Sequence, residues 1–140
     1  MAGYSSTPLA KKLGIREGFT IKLVNEPANY SDLFTDMPAN VHITHSVKHQ
    51  KNLVHFFTKD AAELHKMLPQ FKKEIVPNGI IWVSWPKKSA KVATDVDEGL
   101  IREIALKNGL VDIKVCAVDE IWSGLKLVIP VKDRGATISS

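Results

Sequence analysis

The chain has 140 residues, 44% of them hydrophobic and 24% charged. That suffices for one globular domain over residues 1–140, able to bury a core without disulfides or structural metals. Its formal net charge of +4 permits a polyanionic partner without demanding one, and its single cysteine, Cys116, excludes an internal disulfide. No Cys/His spacing of a zinc site is present. No signal-peptide pattern opens the chain, and no apolar run approaches the roughly 18 residues of a membrane span, so a cytoplasmic protein without membrane attachment is expected.

In chain order, Tyr4–Gly14 reads as one helical turn, with Ser6 or Thr7 as cap, Pro8 at the first helical position and Gly14 as the stop. Phe19–Val24 alternates and is the first strand, broken by Asn25-Glu26-Pro27. Tyr30–Phe34 suits a short helix after Asn29. Val41–Val47 is a second strand, with Val41, Ile43, His45 and Val47 on one face and His42, Thr44 and Ser46 on the other. Leu53–Thr58 is a nearly continuous apolar run, as a central parallel strand requires.

A helix is expected from Asp60, where Asp60 and Glu63 have capping-box spacing. Leu64, Leu68, Phe71 and Ile75 form its apolar stripe. Pro69 is expected to kink or tighten it, and Asn78-Gly79 to stop it. Ile80–Ser84 is a buried strand with Trp82 in the core, followed by the loop Trp85-Pro86-Lys87-Lys88. The next helix is expected over Asp95–Lys107, capped by Thr94 or Asp95, with Val96, Leu100, Ile101 and Ile104 inward and Gly109 past its end. Val111–Val118 and Leu125–Val131 form an antiparallel hairpin about Ser123-Gly124. The polar tail after Lys132 should fray.

Strands alternating with helices and ending in a hairpin predict an α/β fold: a Rossmann-like, methyltransferase-type mixed sheet of about six strands with helices on both faces. Three stretches carry a resemblance: Tyr4-Ser-Ser-Thr-Pro-Leu-Ala-Lys-Lys-Leu-Gly-Ile15, Trp85-Pro-Lys-Lys88 and Val115-Cys-Ala-Val-Asp-Glu-Ile-Trp-Ser-Gly-Leu-Lys-Leu-Val128. They resemble a small bacterial family of unknown function, a likeness that implies no catalytic residues. More distantly, the strand–helix–strand order of the second half is similar to class I methyltransferases, which implies a fold and not an activity.

Ligands of open α/β sheets sit beyond the carboxyl ends of the strands. Here those ends are Asn25-Glu26-Pro27, Thr58-Lys59-Asp60 and Trp85-Pro86-Lys87-Lys88. An adenosyl cofactor would need a glycine-rich turn after the first strand and an acid after the second, yet residues 25–30 hold no glycine and residues 37–59 no Asp or Glu. No cofactor is therefore assigned.

The loop Trp85–Lys91 is the best positive signal. Trp85 offers a ring for stacking, Lys87, Lys88 and Lys91 offer cations, and the helix start at Thr94–Asp97 offers N–H groups. With Asn25 and Lys59 from neighbouring strand ends, they form a candidate site for an anionic ligand or a nucleic-acid backbone. Asp95 and Asp97 oppose that reading, and a lysine-rich loop is ordinarily just solvated. Lys11 and Lys12 are candidate nucleic-acid contacts if the N-terminal segment folds over that edge.

His42, His45 and His49 invite a metal reading, but residues 42 and 45 of a strand point to opposite faces and no acid stands near, so no metal is assigned. His55 reads as a hydrogen-bonded core residue, and His65 is assigned nothing. Asp119 and Glu120 offer paired carboxylates for acid–base chemistry, against a solvent-facing turn or pairing with Lys126. Cys116 reads as a packed thiol. Trp122 suits packing over the hairpin, and either Trp122 or Trp82 could instead form a partner surface.

No catalytic residue is assigned, and the favoured function is a non-catalytic ligand- or protein-binding domain lacking the adenosyl-cofactor motif. The alternatives are a divergent S-adenosylmethionine-dependent methyltransferase, a small enzyme acting on a phosphorylated ligand, and a weak nucleic-acid binder. The expected partner is an anionic small molecule or a protein, and the open edge of the hairpin could pair two copies as a homodimer.

Overall fold

The computed structural model describes residues 7–48 and 50–135. Its six strands are β1 (Thr20–Val24), β2 (His42–Thr44), β3 (Lys51–Phe57), β4 (Ile75–Pro86), β5 (Val111–Ala117) and β6 (Trp122–Val128). Its helices are α1 (Leu9–Leu13), α2 (Ala61–Glu74), α3 (Glu98–Lys107) and α4 (Val131–Arg134), with 3-10 turns at Tyr30–Leu33 and Lys88–Ala90. The strands form one sheet in the order β2-β1-β3-β4-β6-β5. The first four run parallel, and β6 is antiparallel to both its neighbours. The predicted mixed α/β sheet with a terminal hairpin is thus observed, with β6 inserted between β4 and β5. Strand order reverses between β1 and β3, which makes the gap between their carboxyl ends the topological switch point.

Strand alternation divides the core in two. On one face, Val54, Phe56, Ile81, Val83, Trp85, Leu125 and Leu127 pack against Leu64, Leu68 and Phe71 of α2 and Ile101, Ile104 and Ala105 of α3. On the other, Ile21, Leu23, Leu53, Phe57 and Trp82 pack beneath α1 and Tyr30. Trp82 is fully buried and its indole Nε1 donates to the Leu13 carbonyl at 2.8 Å, which pins α1 to the sheet.

Several element boundaries differ from expectation, each for a local reason. The helix expected to run to Asn78-Gly79 ends at Glu74, and Ile75, the last residue of the apolar stripe, instead opens β4 opposite Lys51. Between the pairs Lys51–Ile75 and Leu53–Ile80 the register shifts, and the surplus residues of β4 include Pro77, which has no N–H to pair. Gly79 closes this fold-back: a Cβ there would lie 2.8 Å from Ile75 Cβ and 2.9 Å from the Val76 carbonyl oxygen. Pro69 sits inside α2 without breaking it.

Helix α3 starts at Glu98 rather than Asp95. Asp97 is its cap, with Oδ1 accepting from Leu100 N at 2.8 Å. Strand β2 keeps only the three residues that pair with β1. At the N-terminus Pro8 is the cap residue of α1 rather than its first helical residue, and Gly14 ends the helix at φ +80°. Ser6, the alternative cap, lies outside the described residues. The segment expected to fray begins with the short helix α4.

Candidate functional site

The switch point is bridged by the protein's own side chains. Asn25, at φ +58°, ends β1 and turns its amide across the gap. Its Nδ2 donates to the Phe57 carbonyl of β3 at 3.1 Å and to Glu63 Oε2 of α2 at 2.9 Å. The Thr58 hydroxyl donates to the other carboxylate oxygen of Glu63 at 2.8 Å. Glu63 is therefore held from both strands, where a bound cofactor would need open backbone N–H groups.

The α2 N-terminus is occupied in the same way. A helix start carries unpaired N–H groups and partial positive charge, so it suits an anion. Here Asp60 caps Ala62 N at 2.9 Å, and Asp95, reaching over from the segment before α3, accepts from Ala61 N at 2.7 Å. The Thr94 hydroxyl donates to the Lys59 carbonyl at 2.8 Å, which holds that segment in place. Both carboxylates belong to the chain, and an incoming anion would meet them first.

Of the candidate ligand residues, Lys59 and Thr94 are thus joined, but through the Lys59 backbone. Asn25 is committed to Glu63. Trp85 is only 8% exposed, with its ring inside the α2–α3 core, so the stacking surface expected of it is not presented to solvent. Lys88 and Lys91 are exposed around the 3-10 turn, and Lys87 anchors the loop by donating its N–H to the Ile121 carbonyl at 2.8 Å. The N–H groups expected at Thr94–Asp97 precede α3 rather than open it. Lys11 and Lys12 lie on α1, on the sheet face opposite Trp85. Lys12 sits close enough to Cys116 to act on its charge.

His45 donates to Glu26 Oε2 at 2.8 Å, His42 is exposed, and His49 lies outside the described residues. Burial raises the Glu26 pKa, but the bond from His45, a backbone hydrogen bond and the charge of His45 together outweigh it and the net shift is downward. Among the described residues no three His, Cys, Asp or Glu side chains converge to hold a metal. Asp119 Oδ1 accepts from Ile121 N and Trp122 N, both at 2.8 Å, so that carboxylate builds the hairpin turn; Glu120 is exposed. Burial pushes the Cys116 thiol up, against the opposing pull of Lys12 and Lys114, and a thiol so shifted is a poor nucleophile.

Two buried polar groupings were not anticipated. The first is a chain through His55. Its Nδ1 is hydrogen-bonded to the Tyr30 hydroxyl at 2.9 Å and its Nε2 to Ser84 Oγ at 2.7 Å. Burial lowers the His55 pKa to about 3, so the ring is neutral, with one N–H and one lone pair; one neighbouring hydroxyl must donate and the other accept. The grouping has the residue types of a nucleophile, a base and an orienting group. However, Ser84 and His55 are both fully buried. A cavity of about 600 Å³ near the β1 carboxyl end is lined by Tyr30, Leu23, Phe34 and Ile43, but by neither His55 nor Ser84. That hydroxyl is therefore not presented to solvent or to this cavity. His55 is the hydrogen-bonded core residue that the sequence suggested; its partners could not be read there, because they come from a turn and another strand.

The second grouping is a triad of Lys22, Lys51 and Glu74. Lys22 Nζ donates to both Glu74 oxygens, at 2.8 and 3.1 Å, and Lys51 Nζ to one, at 3.0 Å. Gln70 Nε2 adds a bond at 3.0 Å. All three charged residues are buried. Burial pushes the Glu74 pKa up, but the bonds from Lys22, Gln70 and Lys51 outweigh it and hold the carboxyl below its ordinary range. The signal available in sequence was limited to Lys22 within the first strand, since Lys51 precedes the apolar run Leu53–Thr58 and joins β3 only in the structure.

A family model covers residues 31–131 of the chain. The chain belongs to the family described as Protein of unknown function (DUF3052). No curated protein matches it in sequence. Among solved structures it is similar to an S-adenosylmethionine-dependent methyltransferase from Aquifex aeolicus, with TM-score 0.54 and 15% identity over 86% of this chain and 87% of that one. It is similar to a magnesium protoporphyrin IX methyltransferase from Synechocystis with TM-score 0.54 and 10% identity, over 86% and 74% of the two chains. It is also similar to a fibrillarin pre-rRNA processing protein from Methanococcus jannaschii, with TM-score 0.57 and 10% identity over 91% and 70%. At such identities the likeness establishes the methyltransferase-like fold alone. No helix among the described residues is long and apolar enough to cross a membrane.

Proposed function

We propose that this DUF3052 chain is a non-catalytic binding domain on a methyltransferase-like fold, in which the adenosyl-cofactor crevice has been given over to structure. The observation that carries the reading is the bridge from Asn25 to Phe57 and Glu63 across the switch point. Two further features support it. The connection from β1 to β2 contains one 3-10 turn and no longer helix, so no helix N-terminus faces the crevice from that side. The α2 N-terminus already carries Asp60 and Asp95. The partner in this reading is an anionic small molecule or a protein, met away from the crevice.

The test is a thermal-unfolding series with S-adenosylmethionine and its demethylated product. A ligand at a hundred times its dissociation constant stabilises by about 2.7 kcal/mol. The expected result is an unchanged midpoint at millimolar concentrations of both compounds. A saturable rise with either would overturn the proposal in favour of a divergent methyltransferase.

A further inference from the structure

At the opposite end of the sheet, the amino ends of the parallel strands, lies a cavity of about 980 Å³. The C-terminal turns of α2 and α3, the exit of β6 into α4 and the entry to β3 all meet there. Lys72 and Lys73 from α2, Lys107 from α3 and Arg134 from α4 line it, and its one acidic lining residue is Asp133. Among the described residues, no carboxylate forms an ion pair with Lys72, Lys73 or Lys107.

Lysines at helix C-termini ordinarily answer the helix dipole. A helix end carries about half a negative charge. Two such ends and the Asp133 carboxylate together offset about two of the lining cations, so Lys72, Lys73 and Lys107 are left only partly balanced. Three local features then separate this place from a solvated lysine face. Gly109, at φ +73°, leaves room that Lys72 uses: its Nζ lies 2.6 Å from where a Cβ on Gly109 would be, so the ammonium is drawn in over the end of α3. The Arg134 guanidinium is anchored by Nε donating to the Ile129 carbonyl at 2.8 Å. Immediately behind the cavity-lining residues Gln50, Lys73 and Ile75 sits the buried triad, in which two ammonium groups share the single carboxylate of Glu74. That unbalanced buried charge is screened much less than a surface charge and adds to the positive potential of the cavity. Pro69, Pro77 and Ile129 supply apolar wall beside the cations.

We propose that this cavity binds a small phosphate-bearing ligand, its remaining portion resting on Pro69, Pro77 and Ile129. Lysines from two helices, with a further buried charge behind them, match the roughly two negative charges of a phosphate group at neutral pH. The proposal deepens the binding-domain reading, on which it rests for the premise that the chain holds a ligand, by giving that ligand a class and a place.

The experiment is calorimetric titration of the intact chain with inorganic pyrophosphate, with adenosine triphosphate and a short single-stranded oligonucleotide in parallel, and amide chemical shifts recorded at saturation. Saturable one-to-one binding of pyrophosphate is expected, with shifts concentrated at Lys73, Ile75 and Gly109. The pair K72Q/K107Q should weaken it by about tenfold or more, and K87Q/K88Q at the other end of the sheet should leave it unchanged. Thermal midpoints near wild type confirm that both variants fold; if K72Q/K107Q does not, the chemical-shift map of the wild-type chain decides. Absence of saturation, equal loss in both pairs, or shifts scattered over the surface would overturn the proposal. Binding of the oligonucleotide alone would overturn it in favour of a nucleic-acid surface. Adenosyl-compound binding would remove the crevice reading and leave a positive pyrophosphate result standing; failure with pyrophosphate would remove the cavity and leave the crevice reading untouched.

Discussion

Glu74 is the residue on which the most depends. Two lysines from different strands and Gln70 on its own helix all bond to its carboxylate. Removing one partner of a buried charge group costs about 3–5 kcal/mol, because the remaining charges lose their compensation. Glu74→Gln keeps the side-chain shape and removes the charge. Urea unfolding at pH 7 should show a loss of about 3 kcal/mol; a loss below about 1 kcal/mol would mean the triad is far better solvated than its geometry implies. Replacing Lys22, Lys51 and Glu74 together with methionine should recover most of that loss, since a buried ionic group is often no more stable than a packed apolar one. Trp85 teaches the reverse lesson. Its aromatic ring and lysine neighbours looked like a ligand platform, but an indole offers so much apolar area that burial beneath α2 and α3 prevails.

At the scale of elements, the junction from α2 to β4 is the least ordinary feature. A helix stripe and a strand share Ile75, and four residues beyond it must fold back before regular pairing resumes at Ile80. Gly79 permits this, because a methyl group there would overlap both Ile75 and the Val76 carbonyl. Gly79→Ala should lower stability by about 1–3 kcal/mol through overpacking. Gly99→Ala is the matched control: its added methyl group meets only the Asp97 carboxylate, at 3.6 Å, inside a helix where alanine is preferred. The control should leave the denaturation midpoint unchanged or raised, and equal losses for both would refute the steric account. The hairpin also has an irregularity: the β5–β6 register shifts between Asp112 and Lys114. Such a bulge on an exposed edge strand hinders flat edge-to-edge pairing.

For the whole molecule, the two buried groupings set the response to acid. His55 stays neutral in the folded chain down to about pH 3 and would titrate near 6.5 once exposed. Below pH 6.5 the unfolded chain therefore binds the extra proton, so this contribution is fully present above 6.5 and is lost as pH falls toward 3. Glu74 acts in the same direction: its depressed pKa gives stability above the ordinary carboxylate range that is lost as pH falls through the folded value. Urea midpoints measured from pH 7 to pH 4 should decline. His55 contributes up to about 1.4 kcal/mol per pH unit below its exposed value. In His55→Phe the baseline stability drops, but the slope between pH 6.5 and 5 should flatten. An unchanged slope there would show that other groups govern acid unfolding.

The apolar run of β3, the stripe Leu64–Leu68–Phe71, the Asp60 cap and the antiparallel pairing of the last two strands were legible, because each depends on residues close in sequence; the hairpin turn was not, since Ser123 and Gly124 lie inside β6 opposite Ala117 and Cys116 and the turn is built around Asp119. So was the lack of glycine and acid where an adenosyl cofactor would need them. Element ends were less legible: Asp95 left α3 to cap α2, and Ile75 left α2 to open β4, choices made by partners 34 and 24 residues away. The buried polar groupings were hidden for the same reason. Tyr30, His55 and Ser84 meet only after β3 and β4 pair beneath the Tyr30 turn, and Lys22, Lys51 and Glu74 only after two strands and a helix assemble. Local pattern and composition determined the fold class and argued against the cofactor; the tertiary structure alone decided where charge is buried, which helix ends are already filled and which cations share a cavity, because those depend on long-range contacts that no short window of sequence contains.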